Sequence, residues 1–171
     1  AVVLNPHHIP NGLHDSKKLT ERKREALFEE IITEHFVSCV SLNAAIIDRM
    51  NIRAASLHAM ALAVEALPVA ADHALIDGNA IPPNLASKAT AIVKGDARCL
   101  SIAAASIVAK VMRDRQMVRA HAAYPEFGFD GHKGYPSPKH RALVADLGPC
   151  PLHRRTFAPV RSALKARQQT H

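Results

Sequence analysis

The segments HALIDGN (73–79) and TAIVKGD (90–96) decide the fold class of this chain. Each is a short apolar run that ends at an aspartate beside a glycine, which is typical of a buried strand followed by a turn. The spacing between Asp77 and Asp96 leaves room for a connection that returns the chain to a neighbouring strand. The two segments therefore predict neighbouring strands that present both aspartates at the ligand-binding edge of an open α/β sheet.

Helical patterns surround these strands. Thr20 is the predicted N-cap of a helix that runs to about His35, and a second helical region begins at Asn43 and is interrupted near Asn51. Further elements are helices at about 100–122, 138–147 and 160–168, loops at 5–19 and 124–140, and short strands at 1–4 and 36–42. Because strands alternate with helices and no linker is apparent, we expect one α/β layered domain over residues 1–171, with a helical C-terminal part at 138–171.

Two apolar stripes are expected to face the core of this domain. They consist of Leu27, Phe28, Ile31 and Ile32 on the first helix, and Leu57, Ala61, Val64 and Leu67 on the second.

The composition favours a polyanionic partner. Lys and Arg number 22 against 15 Asp and Glu, a formal net charge of +7, and such a surplus suits the phosphate backbone of nucleic acid, although a merely basic soluble protein has the same balance. Aromatic residues make up only 4% of the chain, which argues against a protein that binds single strands by stacking successive bases.

The 3 cysteines are widely spaced and form no C-x-x-C pair, which favours a reducing compartment. With no membrane-length apolar run and no signal peptide, we expect a cytoplasmic protein.

Asp77 and Asp96 are the candidate metal ligands. Two carboxylates at neighbouring strand ends form half of a cage for Mg²⁺ or Mn²⁺, which prefer oxygen ligands. Two such metal ions activate a water molecule and stabilise the leaving oxygen at a phosphodiester. The alternative is that both aspartates only form turns, assisted by Gly78 and Gly95. Asp114 is a rival carboxylate, but its place within the long helix favours a surface ion pair instead.

Basic residues gather in three predicted loops, where they could reach a phosphate backbone. They are Lys17 and Lys18, then Lys133, then Arg154 and Arg155. Each group taken singly is also typical of a solvated charged loop.

Tyr135 lies in one of these loops between Gly134 and Pro136, and a rigid aromatic ring in that position could stack on a sugar or a base. The histidines His132, His140 and His153 lack a compact ligand spacing, so no zinc site is expected. His132, near the loop tyrosine, remains a candidate phosphate neighbour.

Six segments together resemble bacterial ribonuclease HII in order and spacing. They are DSKKLTERKRE (15–25), LIDGN (75–79), VKGDAR (93–98), AAASIVAKVMRDR (103–115), YPEFGFDGHKGYPSPKH (124–140) and HRRTFAPV (153–160). The resemblance implies a ribonuclease H-like fold, a mixed sheet flanked by helices. It also implies an endonuclease that hydrolyses the RNA strand of RNA–DNA hybrids and nicks at single ribonucleotides in duplex DNA, leaving 5′-phosphate and 3′-hydroxyl ends.

The resemblance also implies roles for particular residues. Asp77 and Asp96 match the last two metal-binding carboxylates of the family, Tyr135 matches the tyrosine that packs against the sugar at the RNA–DNA junction, and Lys17 and Lys18 lie in a segment that contacts phosphate. The family's first strand carries an adjacent Asp-Glu pair and precedes a Gly-Arg-Gly turn, and neither motif occurs in this sequence. We therefore expect the intact enzyme to be active and this chain alone to be inactive or unfolded. The alternative is a non-catalytic hybrid-binding remnant. A monomer is expected in either case.

Overall fold

The computed structural model describes residues 1–169 of the chain. Within that range it contains seven α-helices and four short β-strands. The helices are α1 (Glu21–Glu34), α2 (Ala44–Met50), α3 (Ile52–Glu65), α4 (Leu100–Ala123), α5 (Phe129–His132), α6 (Pro138–Leu147) and α7 (Ala158–Gln168). The strands are β1 (Val2–Val3), β2 (Phe36–Val37), β3 (His73–Asp77) and β4 (Lys88–Ile92), and 3-10 turns occupy Gly95–Ala97 and Pro125–Phe127. Within residues 1–169 no helix is long and apolar enough to cross a membrane.

The strands pair in two separate ways. β1 is antiparallel to β2, whereas β3 is parallel to β4 with Asp77 opposite Ile92. The prediction that 73–79 and 90–96 contain neighbouring strands is therefore confirmed. Together with the flanking helices, these pairs make the α/β fold with mixed strand directions and a helical C-terminal part that the sequence predicts.

Helix α1 begins directly after Thr20, the N-cap that the sequence predicts. The backbone N–H of Lys23 donates to Thr20 Oγ1 at 3.3 Å, and Leu27, Phe28 and Ile31 are buried. The prediction that Ile32 also faces the core is wrong, because 43% of it is exposed. At about 100° per residue, Ile32 lies beyond the edge of the stripe that the other three residues form.

The interruption near Asn51 is a cap between two helices. Asn51 Oδ1 accepts hydrogen bonds from the N–H groups of Arg53 and Ala54 at 3.0 and 3.1 Å, so the same residue that ends α2 starts α3.

The apolar stripe predicted on α3 is wrong in its details. Its four members are only half-buried, and the buried residues of this helix are Ala55 and Ala63. Val64 and Leu67 instead line a largely apolar cavity of about 710 Å³, together with residues of β1 and β3. On this helix the fully buried positions are therefore occupied by alanines, whose small side chains allow close packing.

The described chain divides into two compact units. The first comprises Ala1–Ser41 and Ser56–Met112, and the second comprises Leu42–Ala55 together with the chain from Arg113 onward. Each unit has its own hydrophobic cluster. The first is built on Leu13, Leu27, Phe28, Ile31, Ala103, Ala104, Ile107, Val108 and Val111, and the second on Met117, Phe127, Phe129, Val144, Val160 and Ala163. The single domain over residues 1–171 stays a prediction, and its last two residues lie outside the described range.

The segment 124–140 is more ordered than the predicted loop. It contains the 3-10 turn at Pro125–Phe127 and the helix α5, joined by Gly128 with φ 66°. Phe127 and Phe129 are 3% and 2% exposed, so two buried aromatic side chains fold a segment whose Gly and Pro content indicates a loop.

The adjacent pair Ile31 and Ile32 offers a matched test of the first core. Ile31→Ala is expected to lower the free energy of unfolding by about 2–5 kcal/mol, because Ile31 is completely buried and its truncation leaves a cavity. Ile32→Ala removes the same atoms from a largely exposed site and is expected to cost less than about 1 kcal/mol. Chemical denaturation measures both changes, and equal losses would contradict the placement of α1.

Candidate functional site

Asp77 and the turn that contains Asp96 meet at the carboxyl end of β3. Asp77 is the last residue of the strand, and its Oδ1 accepts a hydrogen bond from the backbone N–H of Gly95 at 2.8 Å. Asp96 follows Gly95 directly in the 3-10 turn. The Gly78 N–H donates to the carbonyl of Ile92 at 3.0 Å, which extends the pairing past the end of both strands. The two aspartates predicted as metal ligands are thus brought to one edge.

Gly95 permits this approach. A methyl group added at Gly95 would lie 2.5 Å from Ile102 Cδ1 and 3.3 Å from Asp77 Oδ1. Lys94, just before it, has left-handed backbone angles of φ 55° and ψ 41°, a conformation that costs roughly 1 kcal/mol for a residue with a side chain. The alternative that the aspartates only form turns is therefore correct in part. Gly95 does shape a turn, and the backbone of that turn donates a hydrogen bond to Asp77.

The oxygen atoms at this edge fit a hard divalent cation. Asp77 is exposed and Asp96 is half-buried, and Mg²⁺ in proteins is commonly held by one or two carboxylates, with water and substrate phosphate completing its shell. Over residues 1–169, no group of three or more His, Cys, Asp or Glu side chains is arranged to hold a metal ion. Among these residues, any ion held at this edge would therefore take most of its ligands from water and substrate.

Lys17 and Lys18 lie in a tightly bonded turn before α1. The Lys17 N–H donates to Asp15 Oδ1 and the Lys18 N–H donates to the Asp15 carbonyl, both at 2.9 Å. Ser16, which precedes Lys17, is buried and accepts a hydrogen bond from the Ser106 hydroxyl at 2.8 Å. The two lysine side chains are exposed, so their backbone is fixed while their charges face solvent.

Arg155 belongs to a segment that a carboxylate of α2 organises. Asp48 Oδ2 accepts from the Arg155 N–H at 2.7 Å, and Asp48 Oδ1 accepts from the N–H and hydroxyl of Thr156 at 3.0 and 2.5 Å. Desolvation raises the pKa of Asp48, but these hydrogen bonds and the charge of Arg154 together outweigh it, so the pKa lies below its usual value. Arg154 itself lies over the Phe157 ring at 5.1 Å.

Lys133 and Tyr135 lie in the second unit, between α5 and α6. Tyr135 is 61% exposed, yet its N–H donates to the His132 carbonyl and its carbonyl accepts from the Ser137 N–H, both at 2.8 Å. Lys133 is half-buried and has left-handed backbone angles with φ 49°. The loop therefore presents an exposed aromatic ring from a bonded backbone.

The structure brings together three histidines that their sequence spacing does not connect. The His132 and His140 rings stack with centroids 4.0 Å apart, and His140 Nε2 lies 2.9 Å from His153 Nε2. Burial lowers the pKa of His140 and of His153. The role of phosphate neighbour predicted for His132 is wrong, because its Nε2 bonds the Phe127 carbonyl and its Nδ1 the Gly134 N–H.

Comparison with known proteins identifies the family. A family model described as Ribonuclease HII matches residues 1–160. The chain belongs to the ribonuclease HII family. The resemblance predicted from the six segments is confirmed, and so is the expectation of a hydrolytic enzyme, since the relatives are named ribonucleases.

Relatives in the ribonuclease HII family match most of the chain. Ribonuclease HII of Sinorhizobium medicae is 55% identical over 161 residues, 94% of this chain and 74% of the relative. Ribonuclease HII of Brucella ovis is 53% identical over 163 residues, with the same two coverages. Ribonuclease H2 of Pyrococcus horikoshii has the same fold, with a TM-score of 0.74, 24% identity, and coverage of 92% of this chain and 82% of that one. A chain of the PCNA:RNase HII complex from Archaeoglobus fulgidus matches with a TM-score of 0.66 and 27% identity, over 85% and 78% of the two chains.

Gly95 provides a test of the aspartate turn. Gly95→Ala is expected to lower the free energy of unfolding by about 1–3 kcal/mol, because Ile102 must move to admit the methyl group. Gly131→Ala is the control, since a methyl group there meets nothing within 4 Å, and its effect should stay within about 0.5 kcal/mol. Urea denaturation compares the two variants, and an unchanged midpoint for Gly95→Ala would refute the close packing.

Proposed function

We propose that this ribonuclease HII family member is an endonuclease that hydrolyses the RNA strand of RNA–DNA hybrids and nicks at single ribonucleotides in duplex DNA. The products are 5′-phosphate and 3′-hydroxyl ends. The observation that supports the proposal is the hydrogen bond from the Gly95 N–H to Asp77 Oδ1, which brings the turn that contains Asp96 to the end of the strand that carries Asp77, in a chain of this family.

Asp77 and Asp96 are the proposed metal ligands and catalytic residues. They would hold Mn²⁺ or Mg²⁺, which would supply an activated water molecule and charge stabilisation for the leaving oxygen of the phosphodiester, as in two-metal-ion catalysis. The Gly95 N–H orients the Asp77 carboxylate through Oδ1 and leaves Oδ2 for a cation. The exposure of Asp77 allows a nucleic acid phosphate to approach it.

Basic side chains supply the sequence-independent part of substrate binding. Lys17, Lys18 and Lys133 are assigned to the phosphate backbone, in keeping with the net charge of +7, and binding through such contacts weakens as salt concentration rises.

Tyr135 is assigned to recognition of the ribonucleotide. Its exposed ring can pack against a sugar, and the 2′-hydroxyl is the group that separates a ribonucleotide from its neighbours in duplex DNA.

The setting proposed for this activity is ribonucleotide excision repair and DNA replication in the cytoplasm, carried out by a monomer. Three cysteines in the free form are in keeping with a reducing compartment.

A second candidate function is binding of RNA–DNA hybrids without cleavage by this chain alone. It is favoured by the small number of carboxylates at the site, since no cluster of three potential metal ligands occurs among residues 1–169. The resemblance implies four metal carboxylates, of which Asp77 and Asp96 are matched.

Nicking of a duplex DNA that contains one ribonucleotide tests the proposal. Cleavage at the ribonucleotide should require Mn²⁺ or Mg²⁺ and stop in EDTA. Asp77→Asn and Asp96→Asn should each reduce the rate by about 100-fold or more, because each removes a charged ligand that is worth several kcal/mol in the transition state. Product ends are read by gel electrophoresis against 5′-phosphate and 3′-hydroxyl markers.

Asp72→Asn is the matched control. Asp72 is exposed and precedes β3, at the end of the strand opposite Asp77, so its replacement should leave nicking unchanged. Metal-dependent nicking that survives both site variants would refute the assignment of Asp77 and Asp96. Salt-sensitive hybrid binding with no nicking in either metal would select the second candidate function.

A further inference from the structure

His132, His140 and His153 lie between the two buried phenylalanines and the loop that carries Tyr135. Phe127 is 4.9 Å from the His153 ring and Phe129 is 5.5 Å from the His140 ring, measured between centroids. The rings are therefore held in an apolar setting in which each nitrogen needs a defined partner.

Backbone groups determine which nitrogens of the His140–His153 pair carry hydrogen. His140 Nδ1 lies 3.1 Å from the Tyr135 carbonyl oxygen, which only accepts, so Nδ1 must donate. The neutral ring then has its lone pair at Nε2 and accepts from His153 Nε2–H at 2.9 Å.

The other end of the pair is consistent with this direction. His153 Nδ1 lies 3.1 Å from the N–H of Cys150, which only donates, and 3.3 Å from the Cys150 carbonyl oxygen, which only accepts. Because the contact to the N–H is the shorter one, and because His140 Nε2 needs a donor, we assign Nδ1 of His153 as the acceptor. A neutral His153 then carries its hydrogen on Nε2, in agreement with the bond to His140. Burial lowers the pKa of both rings, which favours the neutral forms that this arrangement requires.

Backbone groups also determine which ring nitrogen of His132 carries the hydrogen. Its Nδ1 accepts from the Gly134 N–H at 3.1 Å, and its Nε2 donates to the Phe127 carbonyl at 2.8 Å. All six ring nitrogens of the three histidines therefore have a partner of the complementary type.

We propose that these three neutral histidines are positioning residues that hold Tyr135 for contact with the ribonucleotide sugar, an inference that rests on the proposed function. His132 binds the backbone on both sides of Lys133, and His140 binds the carbonyl of Tyr135 itself. The Lys133 N–H donates to the Phe129 carbonyl at 2.9 Å, so every backbone N–H from Lys133 to Tyr135 is bonded. An aromatic ring fixed in this way loses less conformational freedom on docking than one on a loose loop.

Arg113 is the charged group that faces the loop of this assembly: its guanidinium lies against Gly134 and interacts with Tyr135 through its charge. Cys150 lies beside His153, with its Sγ 3.1 Å from Nδ1, and burial raises the pKa of this thiol. Glu126 acts on Cys150 through its charge, and no charge other than those of the histidines themselves contributes to the pKa of His140 or His153.

Nitrogen-15 NMR of the imidazoles in the full chain tests the assembly directly. At neutral pH the expected forms are Nε2–H for His132 and His153 and Nδ1–H for His140, each uncharged. Any other tautomer at His140 or His153, or a charged ring, would overturn the hydrogen-bond directions. This measurement needs no substitution that could unfold the protein.

A pair of amide variants tests the positioning role. His140→Asn places an amide N–H near the Nδ1 position and can keep the bond to the Tyr135 carbonyl, whereas His140→Gln places it near Nε2 and cannot. Fluorescence anisotropy measures the dissociation constants for a duplex DNA with one ribonucleotide and for the all-deoxy duplex. Tyr135→Ala and His140→Gln are each expected to lower the preference for the ribonucleotide on the order of tenfold, and His140→Asn is expected to retain it.

The outcomes separate this inference from the proposed function. If Tyr135→Ala lowers the preference and His140→Gln, folded by its NMR spectrum, does not, the positioning role is refuted. If Tyr135→Ala leaves the preference unchanged, the assignment of Tyr135 in the proposed function fails. The positioning role then fails with it, even where the tautomers are as expected.

Discussion

The hydrogen bond from the Gly95 N–H to Asp77 Oδ1 is the constraint on which the candidate site depends. Parallel pairing of β3 and β4 brings the end of one strand beside the turn that follows the other. Gly95 lets that turn approach because it lacks a side chain, and Lys94 accepts a left-handed conformation just before it. Strain of this kind is commonly found where a functional geometry has to be held. Asp96 reaches the same edge as a result.

Loops elsewhere in the chain are held in a similar manner, by side chains that bond to backbone groups. Asp15 fixes the turn of Lys17 and Lys18, and Asp48 fixes the segment of Arg155 and Thr156. Such bonds give irregular segments defined shapes without regular secondary structure. In each case a carboxylate fixes the backbone of a basic segment, from within the same turn at Asp15 and from helix α2 at Asp48.

Local signals in the sequence predict much of this structure. The caps at Thr20 and Asn43, the interruption at Asn51 and the boundaries of α6 depend on residues close in sequence, and the structure confirms them. The prediction that both aspartates lie at strand ends is confirmed for Asp77 and wrong for Asp96, because β4 ends at Ile92 and Asp96 lies in the 3-10 turn that follows. The exposure of Ile32 and the half-burial of the α3 stripe depend on which elements pack against each helix. The meeting of His132, His140 and His153 likewise depends on tertiary packing, since no local pattern joins residues on α5, on α6 and before α7.

The central claim is that Asp77 and Asp96 form one site for a divalent cation. Titration of the isotope-labelled chain with Mn²⁺, followed by NMR, tests it most directly because a paramagnetic ion broadens the signals of nearby nuclei. The account predicts selective broadening of the backbone amide signals of Gly78 and of the turn at 95–97, and loss of that broadening in Asp77→Asn. Broadening centred on the three histidines, or no selective broadening at all, would contradict it.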